Sequence, residues 1–256
     1  MKYTQGQYAV SAKTKLAEGI YSFEIVCPDV CAVAVPGQFA HIKVEGSVLR
    51  RPISICGIDR ENDILRLIIE IRGQGTAKIV ELEPGDKVDM LAPLGHGFTI
   101  NPDFKKVVLI GGGIGTPPML PIAQVYGEKS VAITGFRNEK AAILQDDFAK
   151  TGAEVILCTD DGSAGIHGFV TQPLKELAEA GGIDAVYACG PMPMLRGVAA
   201  ICRENGIFCQ VSLEERMACG IGACLGCACR TVRNDEEYYA HVCKDGPVFN
   251  AEEVLW

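Results

Sequence analysis

Positive charge is scarce in this chain: 24 Lys and Arg stand against 32 Asp and Glu, a formal net charge of −8. A surface of that sign does not gather phosphate backbones, which argues against a nucleic-acid-coating role. No basic amphipathic stretch offers itself to a membrane surface. The opening MKYTQGQYAV lacks the apolar run of a secretory signal, so a cytoplasmic chain is expected, in which disulfides are not the ordinary use of thiols. Internal repeats, low-complexity tracts and long linkers are also missing. One uncharged stretch, Val107 to Gly127, mimics a membrane span, but its five glycines and three prolines favour a buried strand, loop and helix. What the chain does have is 12 cysteines among 256 residues. That is too sparse for a disulfide miniprotein and too dense for chance in a reducing compartment.

The first hundred residues read as short strands with little helix. Apolar residues alternate with period two along Tyr21–Val26, Phe39–Val44 and Ile64–Ile71, and Pro36-Gly37, Pro84-Gly85-Asp86 and Pro93-Leu94-Gly95 supply turns. A small antiparallel β-barrel is predicted, interrupted by one helix over Thr76–Leu82. Near Pro102 the rhythm changes. Short buried strands are predicted at Val107–Ile110, Val131–Thr134, Val155–Cys158, Ala185–Ala188 and Phe208–Val211, with helices near 117–126, 140–150, 169–180 and 191–205. That alternation marks an α/β domain with a parallel sheet. It stops at Ser212, and the last 45 residues hold five of the 12 cysteines with few apolar runs. The expected division is 1–101, 102–212 and 213–256.

The C-terminal run Met217-Ala218-Cys219-Gly220-Ile221-Gly222-Ala223-Cys224-Leu225-Gly226-Cys227-Ala228-Cys229 has the spacing C-x4-C-x2-C, and after Cys227 a further 15 residues lead to Cys243. It matches the plant-type arrangement for a [2Fe–2S] cluster. Small residues between the thiols let backbone N–H groups point at electron-rich sulfur. Zinc ribbons usually present two C-x2-C pairs, whereas the distal ligand here is a single cysteine. Cys219, Cys224, Cys227 and Cys243 are the candidate ligands; Cys229 rivals Cys227, which is preferred because it keeps the x2 spacing.

In Val107-Val108-Leu109-Ile110-Gly111-Gly112-Gly113-Ile114-Gly115-Thr116-Pro117-Pro118, a buried strand meets a glycine-rich turn and prolines open a helix. Such a turn lets backbone approach a pyrophosphate, with Gly111, Gly112, Gly113, Gly115 and Thr116 as candidates. The spacing departs from G-x-G-x-x-G, so a tight turn without ligand is the competing reading. Asp160, in Thr159-Asp160-Asp161-Gly162-Ser163, and Cys189-Gly190-Pro191 follow predicted parallel strands, where open α/β sheets bind ligands; taken alone, each is an ordinary turn. On the barrel, Arg51, Pro52, Ile53 and Ser54 lie on a strand and Gly73-Gln74-Gly75-Thr76 opens the helix. An arginine and a serine on extended chain can hold a diphosphate and a flavin ring. Without context Arg51 reads as a surface ion pair.

Together and in this order, the three constellations resemble the ferredoxin–NADP reductase superfamily over the whole chain. Arg51-Pro52-Ile53-Ser54 resembles its flavin strand and Gly73-Gln74-Gly75-Thr76 its second flavin-phosphate motif. Gly111–Pro117 is similar to its nicotinamide-nucleotide loop, and Cys189-Gly190-Pro191 to the motif beside the nicotinamide. Ser212–Cys224 and Gly246-Pro247-Val248-Phe249 narrow the match to the electron-transfer subunits of B-type, NAD-linked dihydroorotate dehydrogenase.

The resemblance implies FAD held by Arg51, Pro52, Ile53, Ser54, Ile68, Ile69, Glu70, Gly75 and Thr76, NAD as substrate, and a [2Fe–2S] cluster. It also implies an FMN-containing catalytic subunit, with two copies of each chain, and electrons passing from dihydroorotate through that FMN, the cluster and FAD to NAD. No catalytic side chain is expected in this chain, because proton abstraction belongs to the partner. A related reductase serving a ferredoxin, a hydrogenase or a sulfur-reducing partner is the alternative. Arg137, after the second α/β strand, keeps NADP open. The four histidines form no metal constellation by spacing, His96 reads as a turn residue and Trp256 as a packing one. Cys189 is expected beside the nicotinamide, and the seven remaining cysteines, Cys27, Cys31, Cys56, Cys158, Cys202, Cys209 and Cys229, as small apolar groups.

Overall fold

The computed structural model describes residues 3–256. Two compact units emerge. Residues through Gly97 join Glu214–Cys229 and Tyr239–Pro247 in the first; Phe98–Leu213, Arg230–Tyr238 and Val248–Trp256 make the second. The cysteine-rich tail is thus shared out between the two units, as its shortage of apolar runs requires.

The first unit begins with β1 (Thr4–Ala17), β2 (Ile20–Val26), a one-turn helix α1 (Pro28–Cys31), β3 (Phe39–Ile42), β4 (Arg51–Asp59) and β5 (Ile64–Glu70). Helix α2 (Gln74–Ile79) and β6 (Lys87–Leu94) complete it. The strands close a barrel in the order β1-β2-β5-β4-β3-β6. Period-two alternation sends Phe23, Ile25, Ile42, Leu65, Leu67 and Met90 inward, each contributing about 1.5–3 kcal/mol by burial. On β3 the same alternation puts Ala40 and Ile42 in the core and turns Phe39 and His41 to the outer face. Helix α2 starts two residues before the predicted Thr76, because the Thr76 hydroxyl accepts the Arg72 and Gly73 N–H groups at 2.9 and 3.3 Å and ties down the preceding turn.

The second unit runs β7 (Val107–Gly112), α3 (Leu120–Tyr126), β8 (Ser130–Phe136), α4 (Gln145–Lys150), β9 (Glu154–Thr159), β10 (Ile166–His167) and α5 (Thr171–Ala180). It continues with β11 (Ala185–Cys189), α6 (Met192–Glu204) and β12 (Phe208–Ser212). In the C-terminal region β13 (Ala228–Arg233) and β14 (Glu236–His241) pair with each other, and β15 (Val248–Asn250) joins the large sheet. That sheet has seven strands in the order β10-β9-β8-β7-β11-β12-β15. All its pairings are parallel except β12 with β15, so the expected parallel sheet carries an antiparallel edge drawn from the tail.

Two helices differ from expectation. The segment after Gly115 forms a 3-10 turn over Pro117–Met119 before α3 begins at Leu120, since proline has no N–H to give an α-helical bond. The segment 140–150 breaks at Leu144, whose φ is 72°, and only its second half is α-helical. Among the described residues no helix is long and apolar enough to cross a membrane; the uncharged stretch from Val107 is β7, two tight turns and α3, as read.

Candidate functional site

In the first unit the cysteine loop presents its thiols as two pairs. Cys219 has Cys224 as its thiol neighbour, and Cys243 has Cys227. Backbone N–H groups point at the sulfurs: Gly222 to Cys243 at 3.2 Å, Ala223 to Cys219 at 3.3 Å, Gly226 to Cys224 and Cys243 to Cys227 at 3.5 Å. Such donors stabilise negative sulfur. Burial opposes ionisation of Cys219, but the N–H groups of Ile221, Ala223 and Cys224 and the Cys224 thiol win, bringing it down to about 7. Cys243 is buried, and burial together with the neighbouring Cys227 pushes its thiol up to about 12. Cys229 stands outside both pairs; burial and the Glu215 charge push it up to about 11. Two thiols and two thiols is what a two-iron cluster needs. Among the described residues no group of three or more His, Cys, Asp or Glu side chains is arranged around one metal ion.

The loop turns at Gly220, with φ 73°, in the left-handed region that favours glycine. A Cβ there would collide with the His41 imidazole. His41 is fully buried, packs edge-on against Phe39 with ring centroids 6.5 Å apart, and has no hydrogen-bond partner at either ring nitrogen. Burial first, then the Arg50 charge, lowers its pKa to about 4. Reading by metal spacing passed over this residue. The signal was the alternation along Phe39-Ala40-His41-Ile42, which places a histidine on the face opposite the barrel core.

The flavin candidates converge on the same unit. Arg51 opens β4, and its guanidinium lies against Gly75, where a Cβ would strike it; its Nη1 donates to the Leu49 carbonyl at 2.6 Å. The two motifs, whose Arg51 and Gly75 are 24 positions apart in sequence, are therefore neighbours. Pro52 and Ser54 pair across the ladder with His41 and Phe39. Ile53 packs against the barrel core, Ile69 is part of it, and Ile68 is buried, so the last two offer backbone more than side chain to a ligand. Glu70 forms an ion pair with Arg72 at 2.5 Å, and the Thr76 hydroxyl is engaged in the turn already described. His96 is a turn residue whose N–H donates to the Gly246 carbonyl at 2.6 Å.

In the second unit, Gly111 pairs with Cys189 across adjacent strands β7 and β11, so the two nucleotide motifs lie side by side at the carboxyl ends of parallel strands. At Gly115 a Cβ would run into the Cys189 carbonyl and Gly190. Only glycine permits that approach. Thr116 is fully buried, and its hydroxyl has no protein partner. Asp160 follows β9, two strands from β7, roughly 10 Å along the sheet and exposed. Arg137 is exposed at the end of β8, with its carbonyl accepting the Asp161 N–H at 3.3 Å. Trp256 lines a cavity of about 340 Å³ beside Arg196 and Arg203 of α6.

These residues fit the groups expected of them: a paired-thiol loop rich in N–H donors, a guanidinium cradle, and a glycine turn around an unpartnered buried hydroxyl. Comparison with known proteins agrees. The iron–sulfur cluster binding domain of dihydroorotate dehydrogenase B matches residues 214–255. The electron transfer subunit of dihydroorotate dehydrogenase B (NAD(+)) from Bacillus caldolyticus is 41% identical over 254 residues, 96% of each chain. That from Fusobacterium nucleatum is 38% identical over 255 residues, also 96% of each chain. Among solved structures, an NADH-dependent reduced ferredoxin–NADP oxidoreductase superposes with a TM-score of 0.87 at 30% identity, covering 99% of this chain and 91% of that one. The ferredoxin reductase of carbazole 1,9a-dioxygenase, at 21% identity and a TM-score of 0.70 over 81% of this chain and 67% of its own, shares the fold.

Proposed function

The chain belongs to the electron transfer subunits of dihydroorotate dehydrogenase B (NAD(+)), and from that premise we propose that it passes electrons from the FMN of a separate catalytic subunit to NAD in pyrimidine (UMP) biosynthesis. The observation that carries this reading is the pair of thiol pairs, Cys219 with Cys224 and Cys227 with Cys243, in a loop whose N–H groups face sulfur. When bound, FAD exchanges electrons with a nicotinamide in pairs and with a [2Fe–2S] cluster singly.

The chain's own residues position and insulate. Cys219, Cys224, Cys227 and Cys243 would ligate the cluster; Cys227 is favoured over Cys229 because its sulfur accepts the Cys243 N–H. Arg51 would neutralise the FAD diphosphate beside the Gly75 backbone. Pro52, Ile53, Ser54 and the backbone of Ile68–Glu70 would border the flavin, with Thr76 fixing the turn that brings Gly75 to Arg51. Gly111, Gly112, Gly113, Gly115 and Thr116 would receive the dinucleotide phosphates, Asp160 a ribose, and Cys189, Gly190 and Pro191 the nicotinamide. In functional terms 1–101 is the FAD region, 102–212 the NAD region and 213–256 the cluster region. NAD is the proposed acceptor, and exposed Arg137 is where a preference for NADP would arise. Beside the thiols, Ile221 and Leu225 are 37% and 74% exposed, apolar surface suited to the catalytic subunit. A cytoplasmic complex with two copies of each chain completes the proposal.

A second reading, a reductase subunit delivering to ferredoxin or a similar acceptor, draws on the 30% identity to the NADH-dependent reduced ferredoxin–NADP oxidoreductase. Co-expression with a candidate FMN partner separates the two. Dihydroorotate-dependent reduction of NAD by the purified complex is the expected result. Ferredoxin reduction by NADH without any dihydroorotate activity would favour the second reading.

A further inference from the structure

His41 carries a role that neither the barrel core nor the ligand set explains. It is 0% exposed, and both ring nitrogens lack a partner in the protein. Whichever tautomer it adopts, a neutral imidazole has an N–H donor, and a buried donor left unpaired is costly and rare. The Arg50 guanidinium reaches the His41 carbonyl at 3.2 Å, and the Arg50 backbone comes near the ring without forming a hydrogen bond to either nitrogen. On one side the ring abuts Gly220, between Cys219 and Ile221, closely enough that a Cβ there would strike Nδ1 and Cε1. On the other side, β3 pairs His41 with Pro52 and Phe39 with Ser54 of the flavin strand.

We propose that His41 is a positioning residue for the cluster, donating a ring N–H toward the sulfur-rich side of the Cys219–Cys224 loop and thereby making the cluster easier to reduce. Hydrogen bonds to cluster sulfur stabilise the more negative, reduced state. The ring also props the Gly220 turn from the outer face of the strand next to Pro52 and Ser54, which ties the loop to the flavin strand. This inference rests on the reading that the loop holds a [2Fe–2S] cluster. Iron and sulfide analysis of the parent protein tests that reading separately.

The test uses the full chain purified with its cluster, carrying isotopically labelled histidine. Its readouts are an EPR-monitored redox titration and pulsed EPR of the reduced cluster. In His41→Leu the reduced fraction at fixed ambient potential should fall about tenfold, a midpoint about 59 mV more negative, and the labelled-nitrogen coupling should vanish. His41→Gln, which keeps an N–H donor, should recover most of the potential while still lacking the coupling. An unchanged potential and coupling in His41→Leu would overturn the proposal, as would a shift confined to the flavin. Should His41→Leu not retain iron, the parent and His41→Gln decide alone: coupling present in the first and absent in the second supports the role, and no coupling in the parent refutes it.

Discussion

Two glycine-rich loops in this molecule, proposed to receive a cluster and nucleotide phosphates, are built by opposite means. The Cys219–Cys227 loop is half-open, turns at a left-handed glycine and aims N–H groups at its own sulfurs. The Gly111–Thr116 loop is packed against Cys189 and Gly190; at Gly111 and Gly115 neighbouring backbone fills the space a Cβ would need, and at Gly112 the Met194 and Pro191 side chains do. On the proposed reading the first would bind by ligation and tolerate exposure, and the second would bind by close approach and depend on burial. Damage to the first should remove a cofactor from a folded chain. Damage to the second should deform the backbone and weaken nucleotide binding while the cluster stays in place.

The largest effect is expected at the ligands. Cys227→Ser or Cys243→Ser should bring iron and sulfide content close to zero, whereas Cys229→Ser should keep both; chemical analysis of the purified variants checks this, and a Cys229→Ser protein without iron would reverse the ligand assignment. Next, Gly115→Ala forces a methyl into the Cys189 carbonyl, an overpacking cost of about 1–3 kcal/mol. It should raise the KM for NADH in an artificial-acceptor assay with iron content unchanged. Arg51→Leu removes charge-assisted hydrogen bonds worth about 1.5–3 kcal/mol, so FAD should bind roughly 10- to 150-fold more weakly, read by flavin released on dilution, again without loss of iron.

The smallest effect lies at the entry to β7. The Asp184 carboxylate accepts the Lys105 and Lys106 N–H groups at 2.6 and 2.9 Å, which lower its pKa. A depressed carboxylate contributes stability above its unfolded pKa and loses it as pH falls through the folded one. Asp184→Asn should therefore lower the thermal midpoint modestly at pH 7, and the difference from the parent should close below roughly pH 4. A gap that persists in acid would assign the effect to lost geometry instead of charge.

Much of this was legible because chemistry fixes residue type and spacing together. The thiols, the Arg51 and Gly75 motifs and the Gly111–Thr116 turn could be named from sequence, and the buried strands of the α/β sheet stood out as uninterrupted apolar runs. β1 was not legible: across its 14 residues only Val10 is fully buried, so its alternation has little contrast. β15 is three residues long, below any periodicity. α3 begins late because prolines fill its predicted first turn. His41 was hidden by the habit of reading histidines for metal spacing, although its neighbours Ala40 and Ile42 already marked its face. Arg51 next to Gly75 is a product of barrel closure, which no local pattern states.

The central claim is that nucleotide, flavin and cluster functions are joined in one electron path, and anaerobic titration of the purified chain with NADH tests it most directly. The account predicts that flavin absorbance bleaches and a reduced-cluster EPR signal grows with it, and that the signal fails to develop in flavin-depleted Arg51→Leu protein. Bleaching of the flavin with an EPR-silent cluster in the parent chain would contradict it.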